Sequence, residues 1–170
     1  KTYSSVLIFS STKQKVKTLH RELQHAGFQA KAIHSDLDQE ERENVLRSFR
    51  SKQTQILVAT DILSRGIDIE DIELVINYDL PKDAEDYIHR IGRTARASTK
   101  GEAITFINDF DSYTFHKIEV LMEREVVKPN LPAHLGEGPV YDPKKKTKRP
   151  SKGSTFKRRN PSSSKNRNPS

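Results

Sequence analysis

Short apolar runs alternate with amphipathic stretches through the first 125 residues, and this alternation constrains the fold more than any other feature. Residues 6–9 (VLIF) are continuously apolar, as is typical of a strand buried on both faces of a parallel sheet. Further strands are predicted at residues 28–33, 55–59, 74–77 and 103–107. Helices are predicted between and after them, one ending at Gly27 and the others at residues 38–50, 83–91 and 112–125. The pattern predicts an α/β fold, in which helices cover both faces of a parallel β-sheet.

Two local signals mark helix ends. Gly27 follows the apolar positions Val16, Leu19 and Leu23, and it predicts a helix stop because glycine adopts the left-handed conformation without steric cost. At the second helix, Asp38 precedes a glutamate by three residues, which predicts a capping box at the start of that helix.

The charge of the chain is concentrated at its C-terminal end. Residues 143–170 contain eleven Lys and Arg residues and no Asp or Glu, whereas the whole chain has a net charge of +7. Removing those eleven from the 30 basic residues leaves 19 against 23 acidic ones, so residues 1–142 carry a net charge of −4. The basic segment has little apolar surface to offset its ordering entropy. The sequence thus predicts a domain at residues 1–128, a Pro/Gly-rich linker at residues 129–142 and a disordered basic tail at residues 143–170.

Composition excludes several classes of protein. The chain has no cysteine, so it forms neither disulfides nor a cysteine-ligated zinc site. No apolar run approaches the roughly 20 residues needed to span a bilayer, and no signal-peptide pattern opens the chain. We therefore expect a cytoplasmic protein with no membrane association and no metal site of its own.

The most informative segment is residues 89–96, HRIGRTAR. It places Arg93 and Arg96 three residues apart beside a glycine, at the end of a predicted helix. Two guanidinium groups held together suit a dense anion such as a triphosphate, because each presents a rigid fork of donors to phosphate oxygens. Two arginines at this spacing are more often a solvated basic stretch, so the identity of the whole octapeptide decides the interpretation.

A second segment, residues 59–69 (ATDILSRGIDI), directly follows a predicted strand. A strand that ends in Thr60 and Asp61 before a helix start exposes a hydroxyl and free N–H groups, which together favour a phosphate contact. Two segments are weaker signals: FSSTK at residues 9–13 follows the first predicted strand, and QEER at residues 39–42 lies at the start of the second predicted helix.

These four segments resemble motifs of the DEAD-box RNA helicases and occur in the order found in that family. Residues 89–96 resemble motif VI, HRIGRTGR, with Ala95 in place of a glycine, and residues 59–68 fit the motif V pattern ATDxxxRGxD throughout. Residues 9–13 and 39–42 resemble motifs IV and IVa. The resemblance implies the C-terminal RecA-like domain of such a helicase, and the basic tail favours a bacterial RhlE-like member.

The resemblance implies a nucleotide site made by two of these motifs. It implies arginine fingers that reach the γ-phosphate of ATP across a cleft: Arg93 and Arg96. It also implies that the nucleotide contacts Gly66 and Asp68, the latter through the ribose. For Asp68 taken alone, a capping role in a turn is equally compatible with the sequence.

The resemblance further implies an RNA site and residues that couple the two sites. Contacts to the RNA backbone are implied for four residues: Thr12, Gln39, Arg42 and Thr60. Coupling between sites and domains is implied for three more: Arg65, His89 and Arg90.

The phosphate loop G-x-x-x-x-G-K-[ST] and the Asp-Glu-Ala-Asp cluster do not occur in this chain. In DEAD-box helicases both lie in the N-terminal RecA-like domain, which holds most of the ATP and its Mg²⁺. The resemblance therefore implies a C-terminal half that does not hydrolyse ATP alone. Its implied partners are RNA and the N-terminal domain of the same protein, with ribosomal or RNA-decay complexes as further candidates.

The implied function is RNA-stimulated ATP hydrolysis that separates RNA duplexes locally. Two alternatives stay open: an ATP-independent RNA-binding or annealing module, and a DNA-directed relative, against which the form of motif VI argues. For the basic tail, the alternatives are a solubilising linker and an electrostatic RNA tether without sequence preference.

Overall fold

The computed structural model of the protein describes residues 2–61, 69, 72–94 and 101–144. Its elements, in chain order, are β1 (Val6–Phe9), α1 (Lys13–His25), β2 (Ala30–Ile33), α2 (Gln39–Arg50), β3 (Ile56–Ala59), β4 (Leu74–Asn77), α3 (Ala84–Ile91), β5 (Glu102–Thr105), α4 (Ser112–Leu121) and a 3-10 turn (Ala133–Leu135). No helix within these ranges is long and apolar enough to cross a membrane.

All five strands pair in parallel in one sheet, in the order β2-β3-β1-β4-β5. The central strand β1 is in register with both neighbours, so that Phe9 is level with Ala59 of β3 and Asn77 of β4. Ile33 of β2 and Thr105 of β5 end the outer strands at the same level. The strands therefore share one carboxyl edge, and the predicted parallel sheet is confirmed.

The two faces of the sheet carry separate apolar clusters. On one face, Val16 of α1 packs against strand residues that include Val58. On the other face, Phe49 of α2 packs against strand residues that include Leu57. Because each strand residue points to the opposite face from its neighbour, the continuous apolar run of β1 supplies both clusters. Helices on both faces, as predicted, are confirmed.

A third cluster lies between α3 and α4. Tyr87 of α3 packs against Phe115 and Ile118 of α4, and the ring centroids of Tyr87 and Phe115 are 6.0 Å apart. Tyr141 joins this cluster, with its ring centroid 6.2 Å from that of Phe115. Residues 129–142, predicted as a linker, thus contain a 3-10 turn and return to the domain.

The local signals at two helix ends are confirmed. Gly27 follows α1 with a φ of 86°, in the left-handed region that glycine tolerates. At α2, the backbone N–H of Glu41 donates to Oδ1 of Asp38 at 2.8 Å, and the N–H of Asp38 donates to Oε2 of Glu41 at 3.0 Å. This reciprocal pair is a complete capping box.

Several predicted boundaries differ from the structure, and the larger differences are in β2, β5 and α4. β2 begins at Ala30 rather than at residue 28, and β5 spans residues 102–105 rather than 103–107. α4 ends at Leu121 rather than at residue 125. It ends early because Glu123 adopts a left-handed φ of 49° and the N–H of Arg124 turns back to the carbonyl of Glu119, at 3.1 Å.

Candidate functional site

The centre of the carboxyl edge is a point where the chain leaves two adjacent strands in opposite directions. After β1 the chain passes through α1 to β2, whereas after β4 it passes through α3 to β5, on the other side of the sheet. Crevices at such reversals are the usual ligand sites of open parallel sheets. The residues that directly follow β1, β3 and β4 meet at this crevice, through contacts of Ser10, Asp61 and Asp79.

Asp79 ties the loop after β4 to the loop after β1. Its Oδ2 accepts hydrogen bonds from the Ser10 hydroxyl at 2.8 Å and from the Ser11 backbone N–H at 2.9 Å. Lys15 of α1 forms an ion pair with its Oδ1. Burial alone raises the pKa of Asp79, but the donors from Lys15, Ser11 and Ser10 outweigh it and hold that pKa below its usual value. The carboxylate is therefore charged and fixes the start of α1.

Arg90 is buried beneath this crevice, with 3% of its side chain exposed. Its Nε and Nη2 donate to Oδ1 and Oδ2 of Asp61, both at 2.6 Å. Its Nη1 donates to Oδ1 of Asn77 at 3.0 Å and to the carbonyl of Asp79 at 2.8 Å. The guanidinium carbon lies 5.0 Å from the ring centroid of Phe9. One side chain of α3 thus joins the ends of β1, β3 and β4.

The four predicted RNA contacts all follow strands at the carboxyl edge. Thr12 caps α1 after β1, and its exposed hydroxyl accepts from the N–H of Lys15 at 3.3 Å. Thr60 directly follows β3 and is partly exposed. Gln39 and Arg42 occupy the first turn of α2, which follows β2. Their shared position makes the carboxyl edge the candidate RNA surface.

Arg42 has spare donors at this edge. Its Nη2 donates to the carbonyl of Leu37 at 3.1 Å, which holds the guanidinium beside the loop after β2. Its Nε is buried and has no hydrogen-bond partner among the residues that the structure describes. Gln39 is exposed and its Nε2 donates to Glu43 at 2.8 Å.

Arg93 lies at the other end of β4. The next residue, Thr94, is buried, and its hydroxyl donates to the carbonyl of Glu73, just before β4, at 3.5 Å. Gly101 approaches so closely that a Cβ there would lie 1.7 Å from the Thr94 hydroxyl oxygen. The backbone N–H of Arg93 donates to the carbonyl of Arg90 at 3.2 Å. The structure therefore separates Arg93 from the carboxyl edge by about the length of β4.

Four predicted site residues lie outside the described ranges: Arg65, Gly66, Asp68 and Arg96. Ile69 directly follows Asp68 in the chain and is buried, as is Ile72 just before β4. His89, predicted to contact another domain, is exposed on α3. Within the described ranges, no group of three or more His, Asp or Glu side chains could hold a metal ion.

Sequence reasoning missed Asn77 and Asp79 as parts of the site and gave Asp61 no partner. A signal was available, since the predicted third and fourth strands are followed closely by an aspartate, in ATD and NYD. Carboxylates at the carboxyl ends of parallel strands share one edge of the sheet, and β3 and β4 both flank β1. Which side chain each carboxylate contacts depends on long-range packing, and the sequence pattern does not show this packing.

Comparison with known proteins assigns this domain to a family. Residues 1–98 match the family described as helicase conserved C-terminal domain. The chain belongs to this family. The helicase domain is 43% identical over 134 residues to the ATP-dependent RNA helicase eIF4A of Meyerozyma guilliermondii, an alignment that covers 79% of this chain and 33% of that protein.

Solved structures narrow the family further. The helicase domain matches the DEAD-box protein SrmB of E. coli with a TM-score of 0.73 and 32% identity, over 88% of this chain and 82% of that one. It matches a DEAD-box protein of Methanococcus jannaschii with a TM-score of 0.67 and 48% identity, over 71% of this chain and 33% of that one. The fold is that of a DEAD-box C-terminal RecA-like domain, as the sequence predicted. The chain spans about a third of the curated relative's length.

Proposed function

We propose that this domain is the C-terminal half of an ATP-dependent RNA helicase, an RNA-stimulated ATPase that separates RNA duplexes locally. Its carboxyl edge binds the RNA backbone, and the amino end of β4 contributes arginine fingers to ATP held by an N-terminal RecA-like domain. The observation that carries the proposal is Arg90, whose side chain is bound at the RNA edge and whose backbone carbonyl accepts from Arg93.

The proposed RNA site is supported by hydrogen-bond donors at the carboxyl edge of the sheet. The hydroxyls of Thr12 and Thr60 and the spare guanidinium donors of Arg42 suit phosphate oxygens, and Gln39 adds an amide. Backbone N–H groups at the starts of helices also favour the binding of anions. Contacts of this kind carry no base information, so little sequence specificity is expected.

The proposed nucleotide site lies at the amino end of β4. Arg93 reaches this end from α3, and the segment that contains Gly66 and Asp68 leads into it through Ile69 and Ile72, which are buried. We infer that Arg93, with Arg96 three residues on, meets the γ-phosphate, and that Asp68 meets the ribose. Mg²⁺ takes its protein ligands from the N-terminal domain.

Coupling of the two sides would run through Arg90. Because its guanidinium is bound to Asp61 and Asn77 inside the domain, Arg90 acts on the other domain through the position of α3 rather than by contact. A shift of Thr60 and Asp61 on binding RNA moves α3, and with it Arg93. In this mechanism His89, which is exposed on α3, and Arg65 contact the partner domain.

Closure of the two domains around ATP and RNA then completes the ATPase site. RNA gripped by the carboxyl edge is bent at the closed interface, which separates the duplex locally. Removal of an arginine finger costs about 10³–10⁵ in rate in nucleotide hydrolases. The cytoplasmic location, the RhlE-like assignment and ribosomal or RNA-decay partners remain predictions from the sequence.

RNA-stimulated ATP hydrolysis by the full-length protein tests the function. Arg93→Ala is expected to abolish hydrolysis and leave RNA affinity in place, whereas the matched control Arg21→Ala, an exposed arginine of α1, leaves both unchanged. Native-rate hydrolysis by the Arg93 variant contradicts the finger role. RNA binding or annealing with no ATPase in the native protein favours the ATP-independent module instead.

A further inference from the structure

The edge of the sheet where the strands begin, the amino edge, binds the chain just before β1 to the chain just before β4. The backbone N–H of Ser4 donates to Oε2 of Glu73 at 2.7 Å, and the Ser4 hydroxyl donates to Oε1. The backbone N–H of Glu73 in turn donates to the hydroxyl of Ser5 at 3.1 Å. Glu73 directly precedes β4 and lies 69 residues from Ser4 in the chain. The entries to two adjacent strands are therefore joined at Glu73.

The backbone carbonyl of Glu73 contacts the chain around β5 and the end of α3. It accepts from the N–H of Glu102, the first residue of β5, at 2.9 Å. It also accepts from the hydroxyl of Thr94 at 3.5 Å, and Thr94 is 3% exposed. Gly101 closes the same space, since a Cβ there would lie 1.7 Å from that hydroxyl oxygen. Thr94 is thus lodged between the starts of β4 and β5. We call the residues that surround and hold this position the amino-edge bracket: Ser4, Ser5, Glu73 and Gly101.

Arg93 is held between α3 and the bracket. Its backbone N–H donates to the carbonyl of Arg90 at 3.2 Å, and the N–H of Thr94 donates to the carbonyl of Ile91 at 3.1 Å. Both bonds continue the last turn of α3 beyond its end at Ile91. The backbone at Arg93 is therefore fixed on one side by α3 and on the other by Thr94. Because one peptide bond joins Arg93 to Thr94, a displacement of Thr94 displaces Arg93.

The contact between Ser4 and Glu73 matters more for position than for stability. Ser4 is exposed and Glu73 is partly exposed, and water competes for hydrogen bonds between such groups, so their net contribution to folding is small. The rate of an enzyme depends far more steeply on geometry, since a misplacement of about 1 Å can cost roughly 10²-fold. Loss of this contact can therefore leave the domain folded and still slow a reaction that needs Arg93 in one place.

We propose that Glu73 is a positioning residue for the arginine finger Arg93. Its carboxylate, bound to Ser4, fixes the start of β4, and its carbonyl, with Gly101, fixes Thr94. Arg93 then reaches the γ-phosphate of ATP from a set place when the two domains close. This inference rests on the finger role proposed above for Arg93. Glu73 and Ser4 act on the nucleotide only through the position of the end of α3.

The test is RNA-stimulated ATP hydrolysis by the full-length protein, with kcat and the KM for ATP determined separately. Glu73→Ala removes the acceptors of both Ser4 bonds and is expected to lower kcat about tenfold, because Arg93 is misplaced. The KM for ATP and the affinity for RNA stay near native, because both ligands keep their own contacts. Glu73→Gln is expected to keep a near-native kcat, since its amide oxygen accepts from the Ser4 N–H and its amide nitrogen donates to the Ser4 hydroxyl.

A double-mutant cycle shows whether the effect runs through the contact. Ser4→Ala removes the hydroxyl bond alone and is expected to lower kcat less than Glu73→Ala does. In the Glu73→Ala background it has no further effect, because the contact is already lost. The matched control is Glu137→Ala, an exposed glutamate outside the bracket, which leaves kcat, KM and RNA affinity unchanged.

Three results overturn the proposal. The first is a native kcat in Glu73→Ala. The second is a kcat in Glu73→Gln as low as that in Glu73→Ala. The third is additive effects of Ser4→Ala and Glu73→Ala on log kcat, which would show that the two residues act separately.

Amide hydrogen exchange in the full-length protein measures the bracket without reference to hydrolysis. Faster exchange at residues 92–94 is expected in Glu73→Ala, with exchange in α1 unchanged, because the end of α3 opens more often. Native exchange at residues 92–94 in that variant also overturns the proposal.

The two measurements separate this inference from the helicase function. If the native protein hydrolyses no ATP but exchange at residues 92–94 depends on Glu73, the bracket holds the end of α3 and the helicase function fails. If hydrolysis depends on Arg93 but kcat ignores Glu73, the helicase function stands and the positioning role fails.

Discussion

Arg90 and Asp61 form a bidentate ion pair, with Nε–Oδ1 and Nη2–Oδ2 distances both of 2.6 Å, inside the helicase domain. Asp61 belongs to motif V, just after β3, and Arg90 belongs to motif VI, so the pair connects the two motifs by direct contact. The arginine is almost fully buried while the aspartate side chain is 30% exposed. The charge of Asp61 is therefore needed to keep a guanidinium inside the domain.

Arg90→Ala is expected to destabilise the domain by about 3–5 kcal/mol, since it removes one partner of a largely buried pair. Urea unfolding measures this loss. A double-mutant cycle with Asp61→Ala is expected to show a coupling of about 1 kcal/mol or more, because the two residues contact each other. Additive effects of the two substitutions would contradict the pair, and Arg21→Ala, on the exposed side of α1, is the matched control.

Asp79→Asn is expected to destabilise the domain by about 1–3 kcal/mol at pH 7, because it weakens hydrogen bonds that Ser10, Ser11 and Lys15 make to a charged group. The pKa of this carboxyl is held below its usual value of 3.8, so its contribution is present above that value and lost as pH falls through the lower, folded pKa. The difference between native and variant stability should thus be constant from pH 7 to about pH 4 and shrink below.

Measured unfolding free energies at several pH values check this dependence. A difference that shrinks as pH rises instead would show that the carboxyl of Asp79 is protonated in the folded domain. Asp83→Asn, an exposed aspartate at the start of α3 without a side-chain capping bond, is the control.

Arg42→Ala is expected to weaken RNA binding by the full-length protein and to lower its RNA-stimulated ATPase, because Arg42 lies in the first turn of α2, beside the proposed RNA edge. A lost charged hydrogen bond of about 1.5–3 kcal/mol corresponds to roughly a ten- to hundred-fold weaker affinity. Arg47→Ala, further along the same helix and exposed, should leave both quantities unchanged. ATPase stimulation that survives Arg42→Ala intact would remove this residue from the RNA site.

Gly101→Ala is expected to impair the amino end of β4. A methyl group there would lie 1.7 Å from the hydroxyl oxygen and 2.1 Å from the carbonyl oxygen of Thr94, so the backbone beside Arg93 has to shift. Overpacking of this kind costs about 1–3 kcal/mol or more. We expect a loss of ATPase in the full-length protein with near-native RNA affinity, measured side by side. Gly138→Ala, where the nearest atom is the end of the flexible Leu131 side chain at 3.3 Å, is the control.

Deletion of residues 144–170 is expected to weaken RNA binding and to reduce its dependence on salt. Each phosphate that a lost Lys or Arg had neutralised lowers the slope of log affinity against log salt by about 0.7 for a single strand. Titrations at several salt concentrations give both quantities. Unchanged affinity and slope would make residues 144–170 a solubilising segment only.

The sequence by itself determined the architecture, because the signals for it are local. The apolar run of residues 6–9 is typical of a strand buried on both faces of a parallel sheet, and the two residues of the capping box, Asp38 and Glu41, are three positions apart. The octapeptide at residues 89–96 likewise identified the family, since its identity does not depend on knowing the fold.

Only the tertiary structure decided which side chains meet. Asp61 and Arg90 are 29 residues apart in the chain, and Ser10 and Asp79 are 69 apart. Such pairs form because parallel strands end at one edge and helices return beside them, so register and helix rotation select each partner. The same reason separates Arg93 from the carboxyl edge and returns Tyr141 to α4. Long-range packing, rather than local pattern, sets these contacts.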